Sequence, residues 1–241
     1  MICFDNVSLM LNDRMILENL SFSIEEGESV MLVGNSGAGK STILKLILGL
    51  IKPTSGSIYI FGKNIAEMSE KQLMKIRQRF GIVFQEGALF DSLTVEENVG
   101  FFLKENLKLA GQEIQRRVWE TLEFLGLDKF LHYYPAQLSG GMKKRVAVAR
   151  AVVANPSGML YDEPTAGLDP VSARRVVELV DNLRNQFNIT SLVVTHEVHY
   201  FMDAVQRMIM LKDGTVAYDG APVLDIHEWY EEPSYQRLLA V

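Results

Sequence analysis

Apolar and polar positions change texture several times along the chain. Residues 1–27 and 56–62 alternate in short runs, and Ile58-Tyr59-Ile60-Phe61 sits between Gly56 and Gly62 as turn punctuation; both stretches predict antiparallel strands. Between them, Ser29-Val30-Met31-Leu32-Val33 is a continuous apolar run of the kind needed by a strand buried on both faces of a parallel sheet. A glycine loop and an apolar helical stretch, Ser41 to Leu50, follow it.

From about residue 91 to 137 the period becomes helical. Thr94-Val95-Glu96-Glu97 predicts a capping box, Ile114, Val118, Leu122 and Leu125 share one helix face, and Gly126 ends it. Beyond 138, strand and helix alternate: helix Met142 to Ala154, strand Met159 to Tyr161, and helix Pro170 to Phe187 with Asp169 as its cap. Strand Thr190 to Thr195 follows, then a hairpin, Met208–Leu211 and Thr215–Tyr218, turning at Asp213-Gly214. The expectation is an α/β fold in one domain, 1–241. Its parallel-sheet core and antiparallel β subdomain come from 1–90 and 138–220, a helical subdomain (91–137) is inserted, and a tail (221–241) containing Trp229-Tyr230-Glu231-Glu232 has no legible role.

Composition narrows this picture. Of 241 residues 48% are hydrophobic, enough to bury a core, and no low-complexity tract points to disorder. The longest apolar stretch, Ile43 to Ile51, is broken by Lys45 and Gly49 and falls short of the roughly 20 residues a bilayer core demands. A net charge of −6 argues against a nucleic-acid coat. The short basic clusters Arg116-Arg117, Lys143-Lys144-Arg145 and Arg174-Arg175 are expected on solvated helix faces. The N-terminus lacks a secretory pattern and Cys3 is alone, so a cytoplasmic chain is expected.

Chemistry enters with Gly34-Asn35-Ser36-Gly37-Ala38-Gly39-Lys40-Ser41, which matches the phosphate-loop pattern and lies between a buried strand and a helix. Backbone amides of such a loop point inward at a polyphosphate, and the helix N-terminus adds partial positive charge. Lys40 is expected to reach the β- and γ-phosphates and Ser41 to ligate Mg²⁺, with Thr42 next to it in the nucleotide-binding segment.

The strand ending at Asp162-Glu163 offers a carboxylate, Asp162, to hold Mg²⁺ through water, and a second, Glu163, as general base or water-positioner. His196 follows another apolar strand and is expected on the same sheet edge, where it can donate to the γ-phosphate. His132, His199 and His227 have no such context and are read as surface or filler. Leu138-Ser139-Gly140-Gly141-Met142 opens a helix with Ser139 as cap, a second anion-binding start in a chain that already has one; the economical reading points it at the nucleotide of a partner chain.

These motifs in this order resemble the ATP-binding subunits of ABC transporters over nearly the whole chain. The resemblance rests on the Walker A loop, Gln85 in Val83-Phe84-Gln85, the signature Leu138 to Met142, the Walker B Asp162 and Glu163, the D-loop Gly167-Leu168-Asp169, and His196 in Val194-Thr195-His196. It implies a P-loop NTPase core of the ABC ATPase type and ATP with Mg²⁺. It also implies a head-to-tail homodimer in which each ATP lies between one subunit's Walker A loop and the other's Ser139, Gly140 and Gly141. Gln85 is implied to join Ser41 and Asp162 near the metal and the attacking water, and to link them to a helical subdomain where a transmembrane permease docks from the cytoplasmic face of the membrane. Phe90, Phe101 and Phe102 line either that docking groove or the subdomain core.

Two departures stand out. Met142 replaces the commoner signature glutamine, which the helix-start amides are expected to tolerate, and Met10 or Leu11 stands where the family stacks an aromatic on adenine, so preference for ATP over GTP is implied only by the family. Gln85 to Leu93, the signature followed by Lys143-Lys144-Arg145, and Tyr161 to Pro170 look most like the Mla-type ATPases of MCE-associated phospholipid transporters, with MCE-domain and accessory cytoplasmic subunits as further partners. Part of that block is shared with amino-acid and other small-solute importers, which is the alternative. A non-transport ABC ATPase of the repair or translation type is a different class; its long coiled coils or doubled modules are not seen.

Overall fold

The computed structural model describes residues 1–107 and 109–224; the tail from 225, with His227 and Trp229 to Glu232, lies outside the described residues. Among the described residues ten strands form two sheets. The smaller is antiparallel, in the order β2 (Arg14–Ile24), β1 (Ile2–Leu11), β4 (Ser55–Ile60), β5 (Lys63–Asn64). The larger has the order β10 (Thr215–Gly220), β9 (Arg207–Lys212), β3 (Ser29–Gly34), β8 (Thr190–Val194), β7 (Gly158–Asp162), β6 (Phe80–Val83). All of its neighbours run parallel except β9 and β10.

The continuous apolar run in β3 is explained by this position. Val30 and Leu32 pack on one face with Ile2, Phe4, Ile43 and Leu192, while Met31 and Val33 pack on the other with Val148, Tyr161, Val180 and Val193. A strand covered on both faces has no solvent side to make polar. The first face carries the small sheet and α1 (Lys40–Ile47); the second carries α3 (Val95–Asn106), α4 (Gly111–Phe124), α5 (Gly140–Val152) and α6 (Pro170–Phe187). Val99, Leu103, Val118 and Leu122 join Val146 and Val148 of α5 in one continuous apolar cluster, so α5 is the contact between the inserted helices and the sheet.

Several local expectations hold. Thr94 and Glu97 form the reciprocal capping box, with Thr94 N donating to Glu97 at 2.8 Å and Glu97 N donating to Thr94 Oγ1 at 3.3 Å. Asp169 caps α6 by accepting from the amides of Val171 and Ser172, both at 3.0 Å. Asp213 and Gly214 take φ of 49° and 77°, the left-handed pair a two-residue hairpin requires.

Other features differ. Helix α1 stops at Ile47 rather than Leu50, because Gly49 turns left-handed at φ 60° and the chain leaves the helix. Among the elements without an expectation are the edge strand β6, α2 (Glu70–Arg77) and the short α7 (Val198–Phe201). Ser69 and Gln72 cap α2 reciprocally, a signal the sequence does carry. The 143–145 cluster is not a solvated face. Lys144 is buried at 6% exposure, and Arg145 donates to Leu125 O at 3.3 Å. Arg116 and Arg117, by contrast, pair with Glu113 and Glu120 on the outside of α4.

Candidate functional site

Four neighbouring strands, β3, β8, β7 and β6, end at one edge of the large sheet, and each delivers a sequence-expected group there. Register fixes their heights. Leu32 and Asp162 both pair with Val194, and Glu163 N donates to Val194 O at 2.8 Å. The carboxyl ends of parallel strands are where α/β sheets bind ligands.

The loop from Gly34 through Asn35, Ser36, Gly37 and Ala38 passes directly into α1. Gly39 caps that helix in the left-handed region, φ 97°, and a β-carbon there would lie 2.5 Å from Leu17 Cδ2 of the first hairpin. Only glycine satisfies both demands. Lys40 folds back, its Nζ donating to Gly34 O at 2.7 Å and Asn35 O at 3.1 Å. Burial lowers its pKa, and the nearby Glu163 and Asp162 oppose that shift. Thr42 follows Ser41 in the first turn of α1.

Ser41 Oγ donates to Asp162 Oδ1 at 3.1 Å. Burial pushes the Asp162 carboxyl up, the Ser41 hydrogen bond lowers it, and Glu163 adds to the rise. The hydroxyl and carboxylate are hard oxygen donors of the type Mg²⁺ takes, and no group of three or more His, Cys, Asp or Glu that could hold a metal ion exists among the described residues. This fits an ion completed by phosphate and water oxygens rather than by a protein cage. Asn35 Oδ1 is buried beside the loop without a partner, a further polar group facing unfilled demand.

Glu163 holds φ 49°, a left-handed conformation that costs a non-glycine residue on the order of 1 kcal/mol or more. It turns the carboxylate onto His196, which approaches it with both its amide, at 3.2 Å, and ring Nδ1, at 2.8 Å. Glu163 is 12% exposed and His196 46% exposed, so the carboxylate is sheltered and the ring faces outward.

Gln85 lies apart from this cluster in the structure: its side chain is exposed and has no hydrogen bond among the described residues, and Ser41 and Asp162 meet without it. Its backbone is held instead: Lys144 Nζ donates to Gln85 O and, at 3.4 Å, to Glu163 O. Arg150, one and a half turns along α5, donates to Gly87 O at 2.8 Å and Ala88 O at 2.6 Å. Burial lowers the pKa of both cations. Sequence reasoning missed Lys144 because nothing in a run of three basic residues says which one turns inward.

The signature segment opens α5 as expected. Ser139 Oγ accepts from Met142 N at 3.3 Å, and a β-carbon on Gly141 would lie 3.0 Å from Ser172 Oγ. Ser139 and Gly140 are exposed, and no hydrogen bond connects Ser139, Gly140 or Gly141 to the phosphate loop of the same chain. Asp169, in the D-loop, has its carboxylate engaged as the α6 cap; hydrogen bonds from Ser172 first, then Val171, hold its carboxyl below the ordinary range.

A phosphate loop, a serine and aspartate poised for a hard cation, and a glutamate paired to a histidine at one strand edge define a P-loop nucleotide-binding domain. The family described as ABC transporter matches residues 17–166, and the chain belongs to it. A Bacillus cereus protein named methionine import ATP-binding protein MetN 2 is 40% identical over 224 residues, 91% of this chain and 66% of its own length. An Arabidopsis thaliana chloroplast protein, trigalactosyldiacylglycerol 3, is 43% identical over 225 residues, 86% of this chain and 65% of its own. The chain thus spans just under two thirds of these relatives. Among solved structures, a dimer of the ATP-binding cassette MJ0796 in a post-hydrolysis state with ADP and Pi has a TM-score of 0.82 at 35% identity, covering 92% of this chain and 99% of that one. The cbiO1 protein of Clostridium perfringens, part of the ABC transporter complex cbiONQ, has a TM-score of 0.86 at 31% identity, covering 98% and 93%. The family, the α/β cassette fold with its mixed sheets, and the kinship to nucleotide-binding cassettes agree with the sequence reading.

Proposed function

We propose that the chain is the ATP-hydrolysing subunit of an ABC transporter, closing over ATP as a head-to-tail homodimer and driving a separate transmembrane permease from the cytoplasmic side. One observation carries this. The chain holds one complete phosphate site, Gly34 to Thr42 with Asp162, Glu163 and His196, and one exposed helix start, Ser139 to Gly141, that the site does not use. Two half-sites that do not meet within a chain meet between chains, and the related MJ0796 cassette is described as a dimer with ADP and Pi.

In this reading the loop amides and Lys40 bind the polyphosphate, and Ser41 with Asp162 holds Mg²⁺, which when bound neutralises charge on the phosphates. Glu163 takes the proton of the attacking water. His196 fixes the carboxylate's direction through its amide and Nδ1. Gln85 contributes only after its loop closes inward, since its side chain stands outside the cluster. Asp169 shapes the turn that presents Gly140 and Gly141 rather than touching nucleotide itself.

No helix among the described residues is long and apolar enough to cross a membrane, so the membrane part belongs to other subunits in this scheme. The permease contact we assign to a groove of about 410 Å³ beside β6 and α3, where Phe84, Phe90 and Phe101 are exposed and Phe102 completes the wall. The phenylalanines are therefore groove residues, and Val99 and Leu103 supply the subdomain core.

For the cargo, the methionine-import relatives support a small-solute importer over the phospholipid reading. The phospholipid reading keeps one specific support: the Arabidopsis relative, whose name carries a glycolipid, is 43% identical. MCE-domain and accessory subunits stand or fall with it.

Phosphate release by the wild type and Glu163→Gln tests the chemistry, and sedimentation of Glu163→Gln with and without ATP tests the clamp. Hydrolysis is expected to drop by about 10²-fold or more, with an ATP-dependent dimer. Equal rates remove Glu163 from the mechanism, and a persistent monomer removes the clamp. Mass spectrometry of the native copurified complex separates bound phospholipid from an amino-acid cargo.

A further inference from the structure

Lys144 is a buried cation in the same helix whose first turn carries Ser139, Gly140 and Gly141. Its ammonium lies inside the chain's own catalytic half-site, donating to the carbonyls of Gln85 and Glu163. These two peptides follow neighbouring strands of the site edge, one in the loop after β6 and one at the end of β7. The Glu163 peptide is in the left-handed region, so its carbonyl direction is set by whatever holds it rather than by local preference. Arg150 fastens the next two carbonyls of the same loop, Gly87 and Ala88, to the same helix. Helix α5 is thus fastened to the Gln85 loop at three carbonyls. Among the hydrogen bonds of the described residues, Lys144 is the α5 side chain that extends that connection to Glu163.

We propose that Lys144 is a positioning residue that relays contact at the Ser139 end of α5 to the backbone of Gln85 and Glu163, so that engagement of one ATP by the signature segment sets the catalytic glutamate of the other site in the dimer. This rests on the head-to-tail clamp proposed above. The geometry favours a rigid relay because less than two helical turns separate Ser139 from Lys144, and a hydrogen-bonded helix transmits displacement along its axis with little loss. A lysine suits the task because its ammonium has three donors and no acceptor, so it can hold two carbonyls from separate strands at once. A purely structural lysine would leave the two sites independent.

The test uses the full chain and measures the rate of ATP hydrolysis against ATP concentration. In Lys144→Met, which keeps the stem and removes the donors, kcat is expected to fall about 10-fold or more, with KM and nucleotide affinity changed by less than about 2-fold. The Hill coefficient is expected to fall from above 1 to about 1. Lys144→Arg is expected to recover most of both. If Lys144→Met does not fold, Lys144→Ala carries the test: water can satisfy the freed carbonyls there without tying them, and the same losses are expected. Wild-type kcat and cooperativity in a folded Met or Ala variant overturn the proposal, as does a loss that Arg does not restore or one that appears wholly in KM. ATP-driven dimerisation in the Glu163→Gln background keeps the two readings apart. No dimer in Glu163→Gln alone defeats the clamp. A dimer there and in Glu163→Gln/Lys144→Met, with the kinetic losses above, is the result expected for the relay.

Discussion

The carboxylate of Glu163 meets His196 twice, at the backbone amide (3.2 Å) and at ring Nδ1 (2.8 Å), while Glu163 itself sits at φ 49°. The amide of His196 donates to the carboxylate whichever tautomer the ring holds, and the ring contact at Nδ1 adds a second tie to the same oxygen. Replacing His196 by Ala removes the ring contact and leaves the amide. Hydrolysis is expected to fall on the order of 10²-fold with nucleotide affinity unchanged, measured by phosphate release and by equilibrium binding. Weakened binding with unchanged turnover would place His196 in affinity instead.

Under the proposed function, the first hairpin is expected to set base preference. Met10 pairs with Met15 across the turn, both are more than 40% exposed with Leu11, and Leu17 on the same hairpin packs against Gly39 at the start of α1. This aliphatic tip beside the phosphate loop offers dispersion contact without a stacking face. ATP and GTP are expected to bind within about 3-fold of each other, an estimate that follows from the missing stacking term, and Leu11→Tyr is expected to tighten ATP binding by about 10-fold, since base stacking contributes roughly 1–3 kcal/mol. Competition binding with the two nucleotides checks both.

Asn98 organises the segment between the Gln85 loop and α3. It is fully buried, accepts from Phe90 N at 2.8 Å, and its Nδ2 shares its two N–H donors among the carbonyls of Phe90, Leu93 and Thr94, each at 3.0 Å. Asn98→Ala strands several buried backbone groups at once. A loss of roughly 2–4 kcal/mol is expected, read by denaturant unfolding.

On the outside of α4, hydrogen bonds from Arg116 and then Arg117 hold the Glu113 carboxyl down from 4.5 to about 2. A depressed folded value means the stabilisation is complete above about 4.5 and is lost as pH falls toward 2. The difference in Tm between wild type and Glu113→Gln is therefore expected to be constant from neutral pH to about 5 and to shrink below that. It is small because the pairs are solvated. A gap that widens on acidification would contradict the pairing.

The sequence alone determined whatever depends on local pattern and backbone chemistry. The phosphate loop, the caps at Thr94, Ser139 and Asp169, the Asp213-Gly214 turn and the double-sided burial of Ser29 to Val33 are legible because each is written within a few neighbouring residues. Only the tertiary structure decided which strands are neighbours. Sheet order is a property of long-range packing, and it alone brings Ser41 to Asp162 and His196 to Glu163 across gaps of 121 and 33 residues. It also turned Lys144 inward and left Gln85 outward. A basic run carries no mark of its buried member, and a loop glutamine takes its position from the body that closes on it.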